Sequence, residues 1–178
     1  MADQHDSQTR ELGKLREFST KLAERLKSAP QAADQPNLLA VRVGERGYLV
    51  DMGLASEIVP LPEVAAVPWT RPWYRGLINV RGRLVGVVDL DLFAGRSQLP
   101  AGDSQQALVF GEALGGNAAL VISRAFGLRS LAGLQSIPAD GAGPAWERGR
   151  WLDADGSVLT ELDLRELVKA PAFAMIGV

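Results

Sequence analysis

Two periods organise the hydrophobic positions of this chain. In the first stretch they recur at steps of three and four: Leu12, Leu15, Phe18, Leu22 and Leu26 share one face, and Lys14, Arg16, Glu17, Lys21, Glu24 and Arg25 fill the rest. That spacing predicts an amphipathic helix from about Thr9 to Lys27. Asp6, Ser7 or Thr9 can cap its start. Ser28-Ala29-Pro30 ends it, and Gln31 to Pro36 reads as a linker. The apolar stripe needs a cover, either the chain's own domain or a partner. Residues 1–35 are thus expected to form a polar tail, a helix and a linker, with the folded domain over 36–178.

From Asn37 the period shortens to two. Leu39, Val41 and Val43 alternate with Leu38, Ala40 and Arg42; Gly44-Glu45-Arg46-Gly47 turns the chain, and Tyr48-Leu49-Val50 returns as a hairpin. Leu54 to Val59 reads as a short helix running into a strand. Pro60, Pro62, Pro68 and Pro72 then keep the backbone extended. A second hairpin spans Gly76 to Leu90, turning at Asn79-Val80-Arg81-Gly82. Asp91 to Gly95 suits one helical turn, and Arg96 to Ser104 a loop. Strands follow at Gln106 to Gly111 and Ala118 to Ser123, with Phe126 to Arg129 continuing the sheet. Residues 140–144 read as a loop. A last hairpin joins Trp151-Leu152 to Ser157-Val158-Leu159, and a helix from about Glu161 to Lys169 precedes Pro171. Many short strands with glycine-rich turns predict small barrels rather than βαβ units.

With 178 residues, 47% of them apolar, the chain can bury a substantial core. Nineteen Lys and Arg against 21 Asp and Glu leave a net charge of −2, which argues against a broad surface for nucleic acid or anionic lipid. There is no cysteine, and the single histidine is His5 in the polar tail. Thiolate chemistry, a Ser-His-Asp triad and a two-histidine metal site inside the fold are thereby excluded. No apolar run approaches the roughly 20 residues of a membrane span, and the N-terminus lacks a signal-peptide pattern. The expected location is the cytoplasm, with no cofactor and no metal.

Three clusters invite a chemical reading. Asp89 with Asp91, and Asp153 with Asp155 and Gly156, hint at acid catalysis or calcium. An EF-hand loop counted from Asp153 would need glutamate where Leu164 stands, so turn and strand-end roles are favoured. Gly141-Ala142-Gly143 does not sit between a strand and a helix, so it is no phosphate cradle. Trp69, Trp73 and Tyr74, interleaved with Arg71, Arg75, Arg81 and Arg83, match the composition of barrels that stack single-stranded nucleic acid. A small β-barrel ligand or nucleic-acid binder is therefore the alternative reading.

Arg81 is the odd member of the second hairpin. A guanidinium at the mouth of an apolar hairpin needs a carboxylate or must face solvent. The stretch Arg75 to Leu90, with Glu57-Ile58 and the proline-rich crossing before it, resembles the signature of the CheW-like coupling domain of bacterial chemosensory systems. The resemblance covers about Asn37 to Val168. It implies a mainly all-β fold of two five-stranded SH3-like barrel lobes around a shared core, flanked by the N-terminal helix and a short C-terminal one. It implies a non-enzymatic adaptor. One partner would be the cytoplasmic tip of a methyl-accepting chemoreceptor, the other the regulatory domain of a CheA-type histidine kinase. The receptor groove would hold Glu57, Ile58, Gly76, Asn79 and Arg81, with Glu57 gripping Arg81 in a bidentate pair. Outward apolar residues drawn from Leu49, Val59, Leu84 and Val85 would meet the kinase. The amphipathic N-terminal extension and the stretch Phe173 to Val178 resemble the CheW-like proteins of type IV pilus systems, which would place the chain in twitching motility at inner-membrane receptor arrays.

Overall fold

The computed structural model describes residues 38–97, 104–138, 141 and 143–178. The helix expected at 9–27, its linker and most of the 96–104 loop lie outside the described residues. Within them, eleven strands form two sheets. The strands are β1 (Leu38–Val43), β2 (Arg46–Asp51), β3 (Ala55–Pro60), β4 (Tyr74–Val80), β5 (Arg83–Val88) and β6 (Gln106–Phe110), then β7 (Ala118–Ile122), β8 (Arg124–Arg129), β9 (Gln135–Ile137), β10 (Glu147–Leu152) and β11 (Val158–Leu162). Short helices α1 (Leu90–Phe93), α2 (Leu164–Lys169) and α3 (Pro171–Ala174) complete them.

The first sheet runs β8-β1-β2-β11-β10-β9 and the second β3-β6-β7-β5-β4. The chain lays down β1 and β2, leaves to build the whole second sheet, and returns. Its last strand, β11, then docks parallel to β2, with Leu162 opposite Val50. The expected lobes of five strands each become six and five, because the three-residue β9 adds to β10. Its sequence, Gln135-Ser136-Ile137, is too short to show a period. The C-terminal helix begins at Leu164 rather than Glu161, since Glu161 and Leu162 are still paired with β2. Asp163 caps it, its carboxylate accepting from the Arg165 and Glu166 N–H groups. The helix expected before β3 is only a 3-10 turn at Met52–Leu54.

The apolar runs of β1, β6 and β7 follow from burial on both faces. Alternate residues of one strand enter different clusters. Leu39, Val41 and Val43 of β1 join Tyr48, Val50, Leu108, Phe110, Leu120 and Ile122 in a core shared between the sheets. Leu38 and Ala40 point the other way, to Leu49 and Leu159 inside the first sheet. Ala107, Val109, Ala119 and Val121 likewise fill the second sheet with Ile78, Val80, Val85 and Val87. Each large side chain so buried contributes about 1.5–3 kcal/mol. Trp73 plugs the shared core, edge-on to Phe93 at 5.0 Å and stacked on Phe173 at 6.2 Å.

Candidate functional site

The β4–β5 hairpin turns through Arg81 and Gly82, with φ of 52° and 84°. Two successive positive φ values make a type I′ turn, whose twist suits the flanking strands. Asn79 holds it: its Oδ1 accepts the Gly82 N–H at 2.8 Å. A left-handed arginine costs energy that glycine would not, and here it throws the guanidinium outward from the hairpin tip.

The turn carries Arg81 to Glu57. β3 and β4 are opposite edges of the second sheet, yet Arg81 Nε lies 3.0 Å from Glu57 Oε2. Val59 of β3 also packs on the cluster containing Ile78 and Val80 of β4. The sheet is therefore curled until its edges meet, and the ion pair lies across that seam. It is not the bidentate clamp expected. One nitrogen approaches one oxygen, and no N–H is aimed at Oε2, which is shielded from solvent and lacks a directed donor. The Arg81 side chain is 82% exposed and that of Glu57 20%. A pair so open to water contributes under about 1 kcal/mol. What the seam displays is the exposed guanidinium fork of Arg81, with Glu57 Oε2 shielded behind it.

Gly76 lies on β4, the strand that leads into this turn. Its φ is 133°, and a Cβ there would run into the carbonyl oxygen of Ala65. The proline-rich crossing lies against β4 at this point through a pair of hydrogen bonds, Ala65 N–H to Leu77 O at 2.8 Å and Leu77 N–H to Ala65 O at 2.9 Å. Ile58 is half-buried against the shared core. Of the apolar residues expected to face a kinase, Leu49 and Val85 are corrected: both are 0% exposed, filling the interiors of the first and second sheets. Alternation along a strand buried on both faces does not reveal an outward side. Val59 is half-buried, and Leu84, 64% exposed, is the member that presents a large apolar surface.

The remaining clusters resolve into structure. Asp89 caps α1 through the Leu92 N–H and pairs with Arg75 at 3.4 Å. Asp153 and Asp155 accept turn N–H groups from Ala154 and Ser157, and Asp153 also pairs with Arg129 at 2.7 Å. In the aromatic-basic stretch Trp73 is buried and Arg71 Nε donates to the Met175 carbonyl, whereas Trp69 is 83% exposed. Among the described residues no three His, Cys, Asp or Glu side chains gather as a metal ion would need, and no helix is long and apolar enough to cross a membrane.

The sequence did not disclose one buried polar cluster. Arg96 follows α1 and donates from Nε to Asp91 at 2.9 Å, from Nη1 to Glu147 at 3.1 Å and from Nη2 to the Tyr48 hydroxyl at 2.8 Å. Tyr48 in turn donates to Glu147 at 2.9 Å. The cluster ties β2 and β10 of the first sheet to α1, which connects β5 to β6 of the second. Burial, and then the Glu147 charge, push the Tyr48 hydroxyl well above its ordinary value, against a smaller opposing pull from Arg96. A raised tyrosine pKa means the fold prefers the neutral phenol. Stability is therefore complete below the ordinary value of about 10 and falls as pH rises beyond it. Tyr48→Phe is expected to lower stability by about 1–2 kcal/mol at neutral pH and to flatten the loss above pH about 10. Thermal midpoints from pH 8 to 11.5 measure this; parallel slopes for both proteins would show that Tyr48 is not the titrating group.

Comparison with known proteins agrees with this architecture. The sequence profile of the CheW-like domain matches residues 37–172. Protein PilI of Pseudomonas aeruginosa is 30% identical over 109 residues, which cover 61% of this chain and 61% of PilI, so the chain spans less than two thirds of that relative. The crystal structure of the scaffolding protein TtCheW from Thermoanaerobacter tengcongensis matches with a TM-score of 0.63 and 18% identity, over 77% of this chain and 94% of that one. At that identity the likeness speaks for the fold.

Proposed function

Because this chain belongs to the CheW-like domain family, we propose that it is a non-enzymatic adaptor between a methyl-accepting chemoreceptor and a CheA-type histidine kinase. The observation that carries the reading is the Glu57–Arg81 seam. Recognition of a polar helix needs donors and acceptors that are held in place but not yet satisfied. The Arg81 fork, exposed and anchored by Glu57 at its Nε, meets that description, and Asn79 and Gly76 set the turn and the strand that present it. We assign the receptor tip to this seam, with Ile58 beside it, and a kinase regulatory domain to a separate face that includes Leu84. The likeness to PilI favours a pilus-linked, twitching-motility array at the cytoplasmic face of the inner membrane. Coupling then requires receptor states that differ in their contacts to this seam, with several modest interfaces strengthened by multivalency in the array.

Co-sedimentation with the kinase, with and without a soluble receptor-tip fragment, tests the assignment. Arg81→Ala and Glu57→Arg are each expected to lose at least about tenfold in receptor affinity, roughly 1.4 kcal/mol. Both should keep the kinase and unfold within about 1 kcal/mol of wild type. Unchanged receptor binding in both variants would remove the seam from the interface. Failure of the wild-type protein to capture either partner would refute the adaptor reading itself.

A further inference from the structure

A second recognition surface lies on the other sheet. β8 is an outer strand of the first sheet, and its far side carries no strand among the described residues. Its pairing with β1 breaks between Ala40 and Val41: Gly127 faces Ala40 and Ala125 faces Val41, which leaves Phe126 as the extra residue of a β-bulge, with Gly127 at φ 99°. Bulges re-aim side chains at sheet edges. This one leaves Phe126 40% exposed and Leu128 58% exposed.

Two arginines flank that ring. Arg42 and Arg124 stand directly opposite each other in the β1–β8 register, and both are exposed. Their guanidinium carbons lie 5.4 and 5.7 Å from the Phe126 ring centre. Like charges directly opposite on neighbouring strands repel, and neither arginine has a carboxylate within ion-pair distance among the described residues. Two of the acidic groups nearby are otherwise engaged: Asp153 pairs with Arg129, and Asp155 accepts from the Ser157 N–H. Glu45 lines the same concavity of about 360 Å³ alongside Arg42 and Phe126. The stacked ring supports two cations that have no ion-pair partner among the described residues.

We propose that β8 with Arg42, Arg124 and Phe126 is a docking strip for an acidic, extended segment of another protein, bound by strand addition. Backbone pairing along the open edge gives affinity, and side chains at every second position give specificity. On an added strand, alternate residues recur about 7 Å apart on one face. A carboxylate opposite Arg124 would neutralise the arginine pair, and an apolar neighbour on the same face would cover Phe126 and Leu128. This strip is independent of the Glu57–Arg81 seam and requires neither receptor nor kinase.

The probe is a soluble nine-residue peptide whose centre carries glutamate and valine two positions apart, so that both fall on one face of an added strand, compared with its lysine-for-glutamate counterpart and a single-stranded oligothymidine. Backbone amide spectra of the full-length protein report where each binds. The expected result is that the acidic peptide shifts the amides of residues 124–129 and 40–43, and that the lysine peptide does not. Arg42→Gln/Arg124→Gln should weaken it at least tenfold, Phe126→Ala by a smaller factor, and Arg165→Gln on α2 not at all. The double variant should also melt no lower than wild type, since it removes a repulsion; this separates lost binding from lost folding. Equal binding of both peptides, no acidic-peptide binding at millimolar concentration, or undiminished binding by the double variant would overturn the proposal. Tighter binding of oligothymidine at the same residues would reassign the strip to nucleic acid and overturn it as well.

Discussion

Gly76→Ala is expected to lose about 3–5 kcal/mol of stability, a large part of the roughly 5–15 kcal/mol that holds a domain together. Two costs combine. At φ 133° an L side chain is strained by about 1–3 kcal/mol. The new methyl also points into the Ala65 carbonyl, where backbone rather than a flexible side chain must yield. Relief requires the crossing to lift away from β4, which breaks the two Ala65–Leu77 hydrogen bonds at about 1 kcal/mol each. Urea unfolding reads the loss as a lower midpoint. Because the same strand carries the hairpin that presents Arg81, receptor capture should fall with stability. Gly82→Ala offers the contrast. It also sits at positive φ, but nothing lies within 4 Å of its added Cβ. It should therefore cost only the strain, about 1–2 kcal/mol. Equal losses at the two positions would mean that the clash with the crossing carries no weight.

Arg96→Ala is expected to lose about 3–5 kcal/mol. The cost arises less from the bonds removed than from what remains: the Asp91 and Glu147 carboxylates, with side chains 10% and 13% exposed, lose the cation between them. Burial alone would lower the Arg96 pKa, but its hydrogen bond to Asp91 and the charges of Glu147 and Asp91 raise it overall, so the guanidinium stays charged throughout the accessible pH range. Replacing the whole cluster should be milder than breaking it. Arg96→Met combined with Asp91→Asn and Glu147→Gln is expected to recover at least half of the loss, since no uncompensated buried charge is left. Denaturant midpoints at pH 7 compare the two. A triple variant no more stable than Arg96→Ala would locate the effect in lost packing of the arginine stem rather than in stranded charge. Since the cluster ties the first sheet to α1, whose Leu92 and Phe93 pack on the shared core, the single variant should also loosen α2, which joins that core through Leu164 and Leu167.

The strands, their turns and most of their limits were legible in the sequence because they are local. Alternation, β-branched runs and turn residues act over a few positions, so the hairpins at Leu38–Asp51 and Tyr74–Val88 follow from them directly. Arg81 was legible as an anomaly, a cation where an apolar hairpin turns; Glu57 as its partner came from the resemblance to the CheW-like domain. The way the pair is made was not. A single contact across a seam depends on how far the second sheet curls, which is set by packing of Ile78, Val80, Val87 and Val109 against Val59 from the opposite edge. Facing was also hidden. Leu49 and Leu84 look alike as strand residues, but one fills a sheet interior and the other meets solvent, because a strand buried on both faces carries no polar alternation to give the direction. The Arg96 cluster left no local trace at all, since its members come from β2, α1, the segment after α1, and β10. Local pattern thus sufficed for which segments are strands, where most of them turn, and that Arg81 must find a carboxylate or face solvent. Which faces are interior, which carboxylates share the Arg96 cation, and that Arg42 and Arg124 come to flank one ring are set by tertiary packing, because those outcomes depend on distances between residues far apart along the chain.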